Sequence, residues 1–162
     1  MHPFFLIAPL LLGISGGLRA LTPVAVVFIA MWCGALSVTG RWISFLDSKI
    51  AFVAAIFLAI GELVGDKLPF APNRTALLGL VGRIVSGALC GAVVIAALSG
   101  NSAVGIVGGA SLGIIGALIG TFGGFALRAR LPKRLGIRDL YIAVTEDLAA
   151  IGLASLGLYL TL

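Results

Sequence analysis

The sequence predicts an all-α membrane protein, and three features of its residues support this fold class. Hydrophobic residues make up 60% of the 162 residues and charged residues only 10%, with a mean hydropathy of +1.21, which is far too apolar for a soluble domain. The apolar residues form six runs, separated by polar or turn-forming segments. One run carries glycines at helical spacing. We therefore expect a single domain over residues 1–162, a compact bundle of about six transmembrane helices.

Each apolar run is interpreted as one helix that crosses the bilayer. The six runs cover residues 3–18, 21–38, 50–65, 76–98, 104–127 and 140–161. The first run is shorter than the roughly 20 residues that a spanning helix needs. Only the segment Gly16–Pro23 separates it from the second run. This boundary fits either a tight hairpin of two spans or a re-entrant pair of half-helices, a feature of binding sites in many transporters.

The third and fourth runs place charged residues on faces built from small residues. In the third run the face contains Ala51, Ala55, Ala59, Glu62 and Asp66. In the fourth run it contains Gly79, Arg83, Gly87 and Gly91. Because consecutive helices joined by a short connection are antiparallel neighbours, these faces should meet. We predict an ion pair between Arg83 and either Glu62 or Asp66.

The fifth run carries six glycines on one helix face. They are Gly105, Gly109, Gly113, Gly116, Gly120 and Gly124, and Arg128 continues the series. The glycines extend over about 28 Å, close to the roughly 30 Å of a bilayer core. Glycine lets neighbouring membrane helices approach closely. We expect a glycine-zipper helix at the centre of the bundle, with homodimerisation through this face as the second possibility.

The sixth run repeats the combination of small residues and charge. Its small-residue face contains Ala143, Asp147, Ala150, Ala154 and Gly157, while Glu146 lies about 100° around the helix. We predict that Asp147 pairs with Arg19 or Arg128. Six helices would also permit three-plus-three inverted halves, which are common in small transporters.

Basic residues are distributed unequally among the connections. Arg41 and Lys49 lie between the second and third runs, and the connection between the fourth and fifth runs has no Lys or Arg. The first, third and fifth connections, with the residues beside them, carry Arg19, Lys67, Arg74, Arg128, Arg130, Lys133, Arg134 and Arg138. By the positive-inside rule, we expect a multi-pass protein of the bacterial inner (plasma) membrane with both termini outside the cytoplasm. The segment Arg128–Arg138 should then rest against cytoplasmic lipid headgroups.

Several classes of function are disfavoured by the composition. The net charge of +5 reflects bases that flank apolar runs, which argues against nucleic-acid binding. Cys33 and Cys90 lie in apolar stretches, and His2 is the only histidine, so neither a disulfide nor a metal site is predicted. We expect no cofactor. Because no Ser/His or Cys/His set is present, we expect no enzyme.

The predicted orientation collects seven charged residues in the cytoplasmic half of the bundle. They are Arg19, Glu62, Asp66, Arg83, Arg128, Glu146 and Asp147. A charge near mid-membrane costs at least about 2.5 kcal/mol, so such groups face a cavity or pair with one another. One hypothesis is a transporter or channel-like protein for a small ion or polar solute, with Asp147 and Glu62 as the leading protonatable groups. The alternative is a non-transporting assembly or lipid-contacting protein whose ion pairs fix helix register.

Three short motifs resemble those of a known family. They are GLRALTP at Gly17–Pro23, GELVGDKLP at Gly61–Pro69 and TEDLAAIG at Thr145–Gly152. With the glycine-rich fifth run before Arg128–Arg130, they resemble the bacterial membrane family catalogued as domain of unknown function 4126, over nearly the whole chain. The activity of that family is uncharacterised. The resemblance implies that Arg19, Glu62, Asp66, Lys67, Glu146 and Asp147 occupy its motif positions.

Overall fold

The computed structural model describes residues 6–38, 48–65, 77–99, 102–135 and 139–162. Within these ranges all regular structure is α-helical, which confirms the predicted all-α class. The helices are α1 (Ile7–Leu18), α2 (Thr22–Trp32), α3 (Lys49–Gly65), α4 (Leu77–Ser99), α5 (Ala103–Leu135) and α6 (Asp139–Tyr159). Each predicted apolar run overlaps one helix, although α2 ends at Trp32 and its predicted run continues to residue 38. Asp66 lies outside the described residues, and so does the connection 39–47.

The fifth helix is longer than the apolar run that predicted it. The run ends at residue 127, whereas α5 continues to Leu135. Charge ends an apolar stretch but does not end a helix, because arginine, leucine and lysine are all good helix formers. The basic residues Arg128 and Arg130 therefore belong to the helix and not to a loop.

Three helices of the described chain are long and apolar enough to cross a membrane. They are Leu77–Ser99, Ala103–Arg130 and Tyr141–Tyr159, which supports a membrane protein. The first two helices are also apolar but contain only 12 and 11 residues. These lengths correspond to about 18 Å and 17 Å, little more than half of a bilayer core. Both helices accommodate a proline, Pro9 or Pro23, in the first turn, where proline is tolerated.

Helix α1 lies at the centre of the bundle, in contact with α4, α5 and α6. It runs parallel to α5, since Gly13 lies against Gly113 and Gly17 against Ala117 and Gly120. Of the three long apolar helices α5 is the least buried, so the central place that we expected for α5 belongs to α1. The physical reason is that α1 carries glycines on more than one side. Gly16, for example, approaches Gly87 of α4.

The glycine face of α5 packs inside the chain. Gly109 and Gly113 contact the backbone of Gly91 and Gly87 in α4, while Gly116 contacts α1. Such contacts between backbones are possible only because these residues have no Cβ. Since α1 and α4 cover this face, a homodimer would need another surface.

The remaining core joins four helices. Its buried apolar side chains come mainly from α1, α2, α4 and α6, with Ala55 from α3, and include Ala8, Leu12, Val27, Phe28, Met31, Val93, Val94 and Ala154. Helix α3 packs mainly against α2, with Trp32 stacked on Phe52 at a ring-centroid distance of 5.0 Å. Only Ala55 and Ala59 of α3 are buried. Helix α3 is therefore the more exposed neighbour of this core.

The backbone contact between α4 and α5 predicts unequal effects of two similar substitutions. In Gly113→Ala the new Cβ would lie 2.7 Å from the carbonyl carbon of Gly87, whereas in Gly108→Ala it would meet nothing within 4 Å. We expect Gly113→Ala to lower the free energy of unfolding by about 1–3 kcal/mol, as overpacking does. Gly108→Ala should leave it unchanged or raise it by up to about 1 kcal/mol. Circular dichroism of unfolding in detergent micelles measures both; equal stability of the two variants would contradict the packing.

Candidate functional site

Helices α1 and α2 meet at a short buried connection that we name the α1–α2 vertex, composed of Arg19, Ala20 and Leu21. Arg19 has extended backbone angles (φ −141°, ψ 111°), which ends α1. Helix α2 begins at Thr22 with a proline as its next residue. The vertex thus interrupts the helix within an apolar stretch, where every exposed backbone group needs a hydrogen-bond partner.

The chain turns back at the vertex. At the C-terminal end of α6, Gly157 lies against Ala8 near the start of α1. Tyr159, close by on α6, lines a groove with Ile29 and Cys33 near the end of α2. The outer ends of α1 and α2 are therefore at the same end of the bundle. The vertex points the other way, into the interior.

The vertex lies close to the middle of the long helices. Asp147, which contacts it, is three residues from Ala150, the midpoint of Tyr141–Tyr159, or about 4.5 Å along the axis. Ser86, which also contacts it, is two residues from Ala88, the midpoint of Leu77–Ser99, or about 3 Å. The vertex therefore meets polar groups of α4 and α6 near the midpoints of these two helices.

A buried ion pair joins the vertex to α6. Arg19 Nη2 lies 2.6 Å from Asp147 Oδ1, with side-chain exposures of 0% and 11%. This contact confirms one of the two partners predicted for Asp147. At this separation and burial the two charges are held together with little access to bulk solvent, which makes each strongly dependent on the other.

The other predicted partner of Asp147 forms a different pair. Arg128 Nη1 of α5 lies 3.7 Å from Glu146 Oε2, and their side chains are 23% and 9% exposed. Arg128 thus contacts the carboxylate next to Asp147 in the chain, while Asp147 contacts Arg19. Glu146 and Asp147 are consecutive residues of α6, so their side chains point about 100° apart around the helix. This angle explains why they contact different arginines.

Glu62 of α3 binds backbone at the vertex. Its Oε1 accepts a hydrogen bond from the amide of Ala20 and its Oε2 one from the amide of Leu21, each at 2.7 Å. The carboxylate therefore sits at the N-terminus of α2, where the helix dipole favours negative charge. The predicted pair of Arg83 with Glu62 is not seen among these contacts. Arg83 is buried on α4, and its other predicted partner, Asp66, lies outside the described residues.

Hydroxyl side chains complete the hydrogen bonding around the vertex. Ser86 of α4 donates to the carbonyl of Ala20. Thr121 of α5 donates to Gly17 O at 3.2 Å, and Ser15 of α1 donates to Ala150 O at 2.7 Å. None of these three residues was a sequence-predicted site residue. The available signal was their position beside charge or glycine on the packing faces, since hydroxyls often bond across membrane helices.

One buried hydroxyl at the vertex is unlike the others. Thr22, the first residue of α2, is 5% exposed, and its Oγ1 has no hydrogen-bond partner in the described part of the chain. Such a group normally finds a partner when it is buried. Thr22 also escaped prediction from the sequence, because an isolated threonine in an apolar run carries no distinctive pattern.

The six charged side chains described near the vertex balance in sign. The cations are Arg19, Arg83 and Arg128, and the carboxylates are Glu62, Glu146 and Asp147. Within the described ranges no three His, Cys, Asp or Glu side chains form a group that could hold a metal ion. The chemistry that this arrangement offers is exchange of charge: a carboxylate can release an arginine and take a proton or a cation in its place.

Comparison with models of protein families, with curated proteins and with solved structures finds no match. The resemblance to domain of unknown function 4126 therefore stays a prediction.

The Arg19–Asp147 pair predicts a large effect of removing one partner. Asp147→Ala leaves the fully buried Arg19 without this carboxylate, so the free energy of unfolding should fall by about 3–5 kcal/mol. Arg128→Gln, in the longer and more exposed pair, should cost no more than about 1 kcal/mol. Unfolding in detergent micelles, followed by circular dichroism, compares the two variants. Equal losses would show that burial does not distinguish the pairs.

Proposed function

We propose that this chain is an integral membrane transport protein that moves a small ion or polar solute past the Arg19–Asp147 pair. The observation that supports this proposal is the position of the pair. It is buried at the vertex between two helices that are too short to span a bilayer, and it lies near the midpoint of the candidate span of α6. Charged groups are costly at this depth and mark ion or substrate pathways in membrane proteins. Helices that break at mid-membrane likewise form the sites of many transporters.

In this proposal α1 and α2 form a re-entrant pair, and α3 to α6 cross the bilayer. The lengths of α1 and α2, about 18 Å and 17 Å, support a re-entrant pair, because neither helix is long enough to cross the bilayer. The return of α2 toward the end of the bundle where α1 begins supports it as well. The proposed orientation follows from the basic residues. In this orientation Arg128 and Arg130 on α5 lie at the cytoplasmic side. The re-entrant pair α1 and α2 then enters the membrane from the opposite side, on which both termini are proposed to lie.

The proposed mechanism depends on opening the ion pair. A proton or cation that reaches Asp147 competes with Arg19 for the carboxylate. Glu62 contacts the adjacent amides, so a movement of the vertex also changes how Glu62 is held. The cluster thereby couples ion occupancy to the position of the half-helices.

A second candidate function is a non-transporting assembly protein in which the ion pairs only fix helix register. The observation that favours it is the complete burial of Arg19. A buried pair with little solvent access can hold two helices in one alignment without any exchange. The two candidates differ in whether the pair ever opens.

Flux through purified protein tests the transport proposal. In liposomes loaded with a pH-sensitive dye or with potassium, wild-type protein should move protons or potassium faster than protein-free liposomes. The double substitution Arg19→Gln/Asp147→Asn removes both charges and keeps a hydrogen-bonding side chain at each position, so it should fold while lowering flux at least tenfold. Asp47→Asn, in the polar connection before the third apolar run, is the matched control and should leave flux unchanged.

Folding of the double variant is checked separately by its helical circular dichroism and its thermal midpoint. If the folded double variant conducts like wild type, the pair is not part of the pathway. Absence of proton, potassium and small-solute flux from wild-type protein would reject transport and favour the assembly protein.

A further inference from the structure

Helix α3 is the least firmly packed helix of the described chain. Only two of its 17 residues, Ala55 and Ala59, are buried, and it packs mainly against α2. Near its C-terminal end, a Cβ added at Gly61 or at Gly65 would meet nothing within 4 Å. In α1, α4 and α5, by contrast, several glycines lie directly against neighbouring backbones. Helix α3 is therefore the helix that can move with the smallest loss of packing.

Two contacts of different chemistry attach α3 to the first two helices. Near one end, Phe52 stacks on Trp32 of α2, at 5.0 Å between ring centroids. Ten residues further along, or about 15 Å, Glu62 accepts hydrogen bonds from the amides of Ala20 and Leu21. A ring stack does not change with proton concentration, whereas a carboxylate does. One end of α3 is thus held by a contact that a proton alters.

Protonation removes half of the contact at Glu62. An ionised carboxylate accepts hydrogen bonds through both oxygens, but in the protonated acid one oxygen carries a hydrogen and becomes a donor. Two donors that face each other cannot bond, so one of the two vertex amides loses its acceptor. The negative charge that favours the N-terminus of α2 is lost as well. A proton on Glu62 therefore weakens the attachment of this end of α3.

Glu62 is held differently from the other two carboxylates described near the vertex. Asp147 contacts Arg19 and Glu146 contacts Arg128, so a proton on either has to compete with a guanidinium. The two hydrogen bonds of Glu62 come from neutral amides. A metal cation is a poor substitute for the proton at Glu62, because the N–H groups and the positive end of α2 would face it. The geometry therefore favours a proton as the ion that acts on Glu62.

Other charged groups around the vertex come from three elements. They are Arg19 at the vertex itself, Asp147 on α6 and Arg83 on α4, which is buried one turn before Ser86, a residue that contacts the vertex. Helix α2 carries no charged residue. Arginine is not deprotonated in proteins, so Asp147 is the one other group of this set that responds to acid. Any effect of acid has to be assigned to Glu62 or to Asp147 by substitution.

We propose that α3 is a gate over the α1–α2 vertex, held closed by ionised Glu62 and opened when Glu62 takes up a proton. The purpose of the gate rests on the proposed function: the Arg19 side chain is 0% exposed, so an ion or solute needs an opening to reach it. Once Glu62 is protonated, α3 turns about the contact of Phe52 with Trp32, and its other end moves away from the vertex. The proton thus regulates access to the buried pair.

Distances between spin labels test the gate in nanodiscs. One label is placed on α5 at Ile115→Cys and the second at either end of α3, at Val64→Cys or at Val53→Cys, all of which are exposed. Cys33→Ser removes the exposed native thiol, and Cys90 is buried. On acidification, the distance to Val64→Cys should change by several ångströms. The distance to Val53→Cys, beside the ring stack, is the matched control and should stay the same.

Substitution assigns the response to one carboxylate. Glu62→Gln has one acceptor and one donor group, as the protonated acid does, so at neutral pH it should already show the Val64→Cys distance that wild type reaches in acid. The two vertex amides should exchange hydrogen at least about tenfold faster, the scale of one lost hydrogen bond. In Arg19→Gln/Asp147→Asn the response to acid should persist, because Glu62 is intact. Helical circular dichroism checks that each variant is folded.

Two results of these measurements overturn the gate. One is a Val64→Cys distance in wild type that does not change with acid. The other is a Glu62→Gln variant that responds to acid as wild type does, since another group would then be the one that titrates.

Potassium flux in liposomes separates failure of the gate from failure of transport. With equal pH on both sides, acidification should raise wild-type flux severalfold, while Glu62→Gln should conduct at the raised rate at both pH values. Flux that is present but the same in both proteins at both pH values overturns the gate and leaves transport standing. Absence of all flux, with distances that change as expected, rejects transport and leaves α3 as a proton-operated conformational switch.

Discussion

The interrupted backbone at Arg19 to Leu21 imposes the constraint on which the rest of the bundle depends. An apolar interior offers no water to unpaired amides and carbonyls, so a helix can break there only if neighbouring helices supply partners. The surrounding helices do so: Glu62 accepts from two amides, Ser86 donates to a carbonyl, and Thr121 donates to the last turn of α1. With the Arg19–Asp147 pair, these contacts join α3, α4 and α6 to the segment Arg19–Leu21, and α5 to the helical turn just before it.

The glycines make this arrangement possible, because short polar side chains reach across only when helix axes are close. Ser86 and Thr121 have side chains of a few atoms, and each lies beside a glycine whose missing Cβ admits the neighbouring backbone. Gly87 lies against Gly113, and Gly120 against Gly17 and Ile14. The hydrogen bonds of Ser86 and Thr121 therefore depend on the close packing of the helices. A Cβ at these glycines would separate the helices and move the hydroxyls out of reach of their carbonyl partners.

The sequence alone predicted much of the fold. Hydropathy placed six apolar runs, and each overlaps one helix. Two helices differ clearly from their runs: α2 ends at Trp32, before its run ends, and the helical residues of α5 continue into charge. Helical spacing placed Arg19, Asp147, Arg128 and Glu146 in one region, and the structure pairs them. Spacing failed for Glu62, because a one-dimensional pattern pairs a carboxylate with another charge and contains no information about a broken backbone that offers its amides.

The sequence by itself therefore determined where the helices lie in the chain, which of their faces are apolar and which charged residues they carry. These properties follow from local periodicity and composition. Only the tertiary structure decided which charge meets which. It also decided that α1 takes the centre expected for α5 and that the first two helices turn back at a buried vertex. Partner choice depends on distances between segments far apart in the chain, such as Arg19 and Asp147, and those distances exist only once the glycine faces have packed.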